Sequence, residues 1–166
     1  MKTYLAKAAA WYQCAVTLIE TWFAPLAALL ARLYVAHVFY ASGLTKVQDW
    51  DTTIALFTDE YHVPLLPPQV AAVGGAAGEL GFSVLLALGL GGRLSALGLS
   101  LVNIMAVVSY WHVLMLPDQA PGLHGHIMWG LILALLLAKG TGTLSVDTLI
   151  GRWWSARYGK PAMATA

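Results

Sequence analysis

Four long apolar runs, at about residues 22–44, 69–90, 93–116 and 124–138, constrain this 166-residue chain more than any other feature. A helix that crosses a bilayer needs about 20 apolar residues. The first three runs reach that length; the fourth is short and is expected to begin earlier or to tilt little. Charged residues make up 10% of the chain, against about 25% in soluble domains. The expected fold class is all-α, an integral membrane four-helix bundle. Its parts are a cytoplasmic or interfacial segment over 1–21, a membrane domain over 22–138 and a cytoplasmic interfacial tail over 139–166.

The connections set the orientation. Lys2, Lys7, Arg93, Lys139, Arg152, Arg157 and Lys160 fall on one side of such a bundle. Lys46 falls on the other, with Asp49, Asp51, Asp59, Glu60 and Asp118. Basic residues mark the cytoplasmic loops, so both termini are expected inside. Between spans 1 and 2, Trp50, Ile54 and Phe57 recur at helical spacing among acids, which predicts an amphipathic interfacial segment on the outer surface. Residues 3–19 read as a similar surface stretch, because Glu20 interrupts the apolar run and no small-residue cleavage site follows. Gly43 is expected to end span 1, and Pro25 to sit harmlessly in its first turn. Ser145 can cap a final helix with Asp147 in its first turn, and Trp153 and Trp154 can anchor that tail at the surface.

Two charges lie near the middle of different spans, Arg32 and Glu79. A lone charge at that depth costs roughly 2.5–3.5 kcal/mol on insertion scales, so each needs a partner or a wet cavity. Depths estimated from the helical rise put Arg32, Glu79 and Asn103 in one layer. Small residues on the same faces (Gly75, Ala76 and Ser83; Ala28 and Ala36; Gly130, Ala134 and Ala138) turn these groups toward other helices. An Arg32–Glu79 ion pair is expected, either fixing register alone or with Glu79 as proton acceptor and Arg32 as contact for an anion or a quinone carbonyl. The small-residue lines suit packing within the bundle or a homodimer equally.

Histidines gather toward the outer surface: His62, His112, His124 and His126, with His37 and Tyr40 on span 1. Imidazole can ligate metal, relay protons or bond a quinone head group. The His124–His126 spacing is not a strong metal motif, and no metal site is assigned. There is no self-sufficient catalytic motif, no phosphate-binding loop and no basic stripe for nucleic acid. The single cysteine, Cys14, excludes an internal disulfide.

Several segments carry a family resemblance: RLYVAHVFYASGLTKV (32–47), GELGFSVLLALGLGGR (78–93) and GTGTLSVD (140–147), with EYHVPLLPP (60–68) and NIMAVVSYWH (103–112) marking a subgroup. In this order the chain resembles the DoxX family of small four-helix membrane proteins. The resemblance points at Arg32, Gly43, Lys46, Glu79, Arg93, Gly142 and Asp147. It implies a bacterial inner-membrane location, a link to quinone-coupled redox chemistry and a soluble or peripheral protein partner that brings the electrons. On that reading Glu79 and Arg32 are the reactive pair. A quinone site would draw on Arg32, His37, Tyr40, Lys46, Glu79, Asn103, His112 and His126. The alternative is a non-enzymatic membrane partner or small transporter in metal or oxidative stress, with the outer histidines contacting metal.

Overall fold

The structure, a computed structural model, describes residues 2–159, and all regular structure among them is helical. The first helix runs without a break through α1 (Lys2–Leu18), a π-helical turn (Ile19–Phe23) and α2 (Ala24–Gln48). The π turn explains Pro25. Proline inside a running helix clashes with the carbonyl four residues back and donates no bond. One wide turn ahead of it, with the Ala24 amide bonded to Ile19 O, relieves the crowding. Pro25 is therefore absorbed within a helix, and does not begin one as the sequence suggested.

Gly43 likewise does not end the first span, which continues to Gln48. Asp49 breaks it and caps α3 (Trp50–Asp59), its carboxylate accepting from Thr52 N (3.1 Å) and Thr52 Oγ1 (2.8 Å). Those two bonds, the hydroxyl's first, hold the Asp49 carboxyl below its ordinary range. Helix α3 buries Thr53 and Phe57. A strap over 60–67 then leads into α4 (Pro68–Leu88), which ends on the left-handed Gly89.

Helix α5 (Gly92–Ser109) is shorter than its apolar run. The chain leaves the helical region at Tyr110 and continues as a short α6 (Trp111–Leu114) and a 3-10 turn (Pro117–Gln119). Helix α7 (Ala120–Lys139) begins earlier than its run, as its length required. Residues 140–145 link it to α8 (Val146–Tyr158), whose Ser145 cap accepts from Thr148 N.

Helices α2, α4, α5 and α7 are each long and apolar enough to cross a membrane. They form a ring in which α2 packs on α4 and α7, and α5 lies between those two. The buried faces recur at three and four residues: Arg32, Val35, Ala36, Phe39 and Gly43 on α2; Ala72, Ala76, Glu79, Ser83 and Leu86 on α4. Val35, Phe39, Leu86, Leu99, Leu133 and Leu136 make the apolar centre. Outward faces stay apolar, as with Leu30, Val73, Leu101, Ile104 and Leu131, which suits a multi-pass membrane protein in contact with acyl chains. The end bearing α3 is taken as the outer end, on the charge bias of the loops.

Candidate functional site

Ser42, Gly43 and Lys46 lie within one turn on the inward side of α2. A side chain at Gly43 would place its Cβ 2.9 Å from Leu80 Cγ and 3.0 Å from Glu79 Cβ. Having none lets α4 approach and sets Glu79 beside the lysine. Lys46 Nζ lies 2.8 Å from Glu79 Oε2, 2.9 Å from Oε1 and 2.9 Å from Ser42 Oγ. The Ser42 hydroxyl also donates to Glu79 Oε1 at 3.3 Å. This is the salt bridge among the described residues.

The pair sits on the wall of a cavity of about 500 Å³ in the outer half of the ring. The other walls are largely apolar and aromatic: Phe39 and Phe82 within the ring, Trp129 from α7, and Phe57 and Tyr61 above. Burial pushes the Tyr61 phenol above its ordinary range, and Tyr110, Glu60 and Glu79 add to the effect. Tyr61 stacks edge-on between Phe57 (4.9 Å) and Tyr110 (5.1 Å). Tyr110 in turn donates to Glu60 Oε2 at 3.3 Å. The strap is tied down where His62 N donates to Ser109 O, 2.9 Å.

His126 reaches the same cavity from α7, edge-on to Trp129. Its Nδ1 lies 2.9 Å from Asn103 Oδ1, while Asn103 Nδ2 donates to the His126 carbonyl at 3.0 Å. Asn103 is thus at the depth expected, since Gly78 next to Glu79 faces Val102. It is turned to α7, however, and not to the acid.

Arg32 is not in this site, and the expected Arg32–Glu79 pair does not form. The guanidinium, 2% exposed, donates to Thr141 O (2.7 Å) and Leu144 O (2.8 Å) at the inner end; its buried Nε makes no bond. It lies against Gly89, ten residues along α4 from Glu79, or about 15 Å at helical rise. A Cβ at Gly89 (φ +66°) would fall 2.5 Å from Arg32 Nη1, so the left-handed turn and the arginine both require glycine. Around them Arg93 donates to Ala138 O (3.2 Å), Gly91 N to Asp147 Oδ1 (3.2 Å) and Ser145 Oγ to Gly142 O (2.8 Å). Thr141 and Ser145 are buried. The 141–147 segment is therefore a knot that ties α2, the α4–α5 turn and α7 together, while α8 beyond it buries no residue.

The remaining candidates scatter. His37 and Tyr40 face outward on α2, Tyr40 being 42% exposed. His112, also exposed, stacks on His62 with ring centres 4.5 Å apart, and His124 is exposed by itself. No three metal-ligating side chains gather among the described residues. Ala134 and Ala138 point away from the bundle, and only Gly130 of that line meets Asn103. Ser42, Tyr61 and Trp129 were not foreseen. Ser42 carried a signal, one turn before Lys46 on the face of Phe39 and Gly43.

The family model described as DoxX matches residues 27–112, which take in Arg32, Gly43, Lys46, Glu79 and Arg93 and stop before Gly142 and Asp147. No curated protein and no solved structure matches the chain.

Proposed function

The chain belongs to the DoxX family, and on that premise we propose that it is the membrane subunit of a quinone-linked redox complex in a bacterial inner membrane, with the Lys46–Glu79 cavity as its quinone and proton site. One observation carries this reading: an ion pair bonded at 2.8 Å on the wall of an otherwise apolar cavity of about 500 Å³. That volume falls in the range of small-molecule sites, which are mostly apolar with a few convergent polar groups. Ionisable groups held inside a membrane bundle are functional by default.

The residues present fit a quinone. Phe57, Phe82 and Trp129 offer flat apolar surface to a ring, the Tyr61 hydroxyl is a donor suited to a carbonyl oxygen, and Lys46 can supply a second by releasing one of its three bonds to Glu79 and Ser42. Glu79 can hold a proton beside them, and Ser42 keeps the carboxylate and ammonium in register. A bound quinone would supply two-electron, two-proton chemistry. The electrons would come from a soluble or peripheral protein partner, since the chain carries no redox-cofactor motif of its own. Arg32 acts in this scheme only by holding the inner end closed.

The test is extraction of protein purified in mild detergent. Native protein is expected to carry quinone, and Glu79→Gln to lose most of it at unchanged helix content. A second reading, a non-enzymatic partner or small transporter in metal stress, draws on the His62–His112 stack. Native protein free of quinone, binding stoichiometric copper or zinc that a His62→Ala/His112→Ala variant fails to bind, would favour it instead.

A further inference from the structure

We propose that the ligand of the Lys46–Glu79 cavity enters sideways from the outer leaflet, through a gap between α4 and α5, and leaves an apolar tail in that gap. Its class is thus a bilayer-dissolved molecule with a polar head, and not a water-soluble one. The inference rests on the reading of the cavity as a quinone site and adds its route and its tail.

The gap follows from where the two helices touch. Toward the inner end they are in close contact: a Cβ at Gly98 would lie 2.5 Å from the Phe82 ring, and one at Gly78 would lie 2.9 Å from Val102 Cγ2. One turn further out, a Cβ at Gly74 meets nothing within 4 Å, although Gly74 lines the cavity. Gly74 is itself exposed, so at this level the cavity reaches the surface beside α4. Leu101 and Met105 on α5 line the cavity and are also exposed on the outward face, Leu101 by 56%. A residue that faces both the cavity and the acyl chains marks a mouth. On the aqueous side Phe57 and Tyr61 line the cavity, and the His62–Ser109 bond holds the strap over it. Lys46 stands on α2, which does not border the gap, and Glu79 on α4, which does, so a head held at the pair can leave its tail in the gap.

Gly74→Trp tests this, because the new side chain has room to fill the mouth without striking the core. The probes are a benzoquinone with an isoprenoid tail and the same head without one, each titrated into protein reconstituted in phospholipid. Gly74→Trp is expected to weaken the tailed probe by about tenfold or more, the equivalent of losing about two buried methylenes, and to leave the tail-less probe within about twofold of native. Leu101→Trp, from the opposite wall, should do the same, while Leu65→Ser on the exposed strap should change neither. If Gly74→Trp and Leu101→Trp match native protein both in affinity for the tailed probe and in its rate of binding, the tail position and lateral entry are wrong while the quinone site stands. If native protein binds neither probe, the site reading fails and this proposal fails with it. Equal weakening of both probes would show a damaged pocket and would also overturn the proposal.

Discussion

Replacing Lys46 with Met and Glu79 with Gln, singly and together, measures what the ion pair does for the fold. Lys46→Met keeps the length of the side chain but leaves the Glu79 carboxylate with the Ser42 hydroxyl alone, at 3.3 Å. Glu79→Gln leaves the ammonium facing a neutral amide and Ser42. The side chains are 17% and 9% exposed, so neither is well screened by water. Breaking a buried pair by removing one partner costs about 3–5 kcal/mol, and the slight exposure of Lys46 places each single change near 3 kcal/mol. Removing both charges leaves nothing uncompensated, so the double variant should be no less stable than either single. The additive sum of about 6 kcal/mol then overshoots by about 3 kcal/mol or more, the upper end of couplings between contacting residues. The assay is denaturant unfolding in detergent micelles, read by tryptophan fluorescence and far-UV dichroism. A double variant that loses the full sum would refute the coupling. The same cycle on Arg32→Met and Glu79→Gln should be additive, because those residues share no partner.

Other outcomes follow from the packing and the caps. Gly43→Ala forces its Cβ into Leu80 and should destabilise the fold by about 1–3 kcal/mol, visible as a shifted unfolding midpoint with unchanged helix content. Arg32→Lys keeps the charge but reaches one carbonyl in place of two. A loss of about 1.5–3 kcal/mol is expected, with faster amide exchange over 142–148. The depressed Asp49 carboxyl contributes stability that is fully present above the ordinary carboxylate range and is lost as pH falls through its lower folded value. Amide exchange in α3 should therefore rise in acid, and Asp49→Asn, which still caps, should remove that dependence.

The spans were legible because hydropathy over some twenty residues is a strong signal; the depth of a residue within them was not. From Lys2 to Gln48 no break marks where the bilayer begins. Beginning span 1 at Trp22 and ending it at Gly43 put Arg32 at its middle, when the contact of Gly43 with Leu80 sets Arg32 level with Gly89. Ending the span there also assigned Lys46 to a loop, although the resemblance had pointed at it. The end of α5 was hidden for the opposite reason: the chain stays apolar through Leu116, while the backbone leaves the helix at Tyr110. Glu79 and Asn103 were readable as inward-facing groups. What each of them meets was not, because pairing depends on helix rotation and small residues at the contact allow several rotations. The 141–147 knot was missed because its bonds are largely to backbone carbonyls, which carry no residue-specific signature.

The Arg32 bonds also order events during synthesis. The guanidinium's acceptors, the carbonyls of Thr141 and Leu144, lie 109 and 112 positions later in the chain. At 5–20 residues per second the ribosome needs roughly 5–20 s to make them. For that interval the nascent first helix holds a cation whose final lodging does not yet exist, and any chain cut short before residue 141 keeps it so.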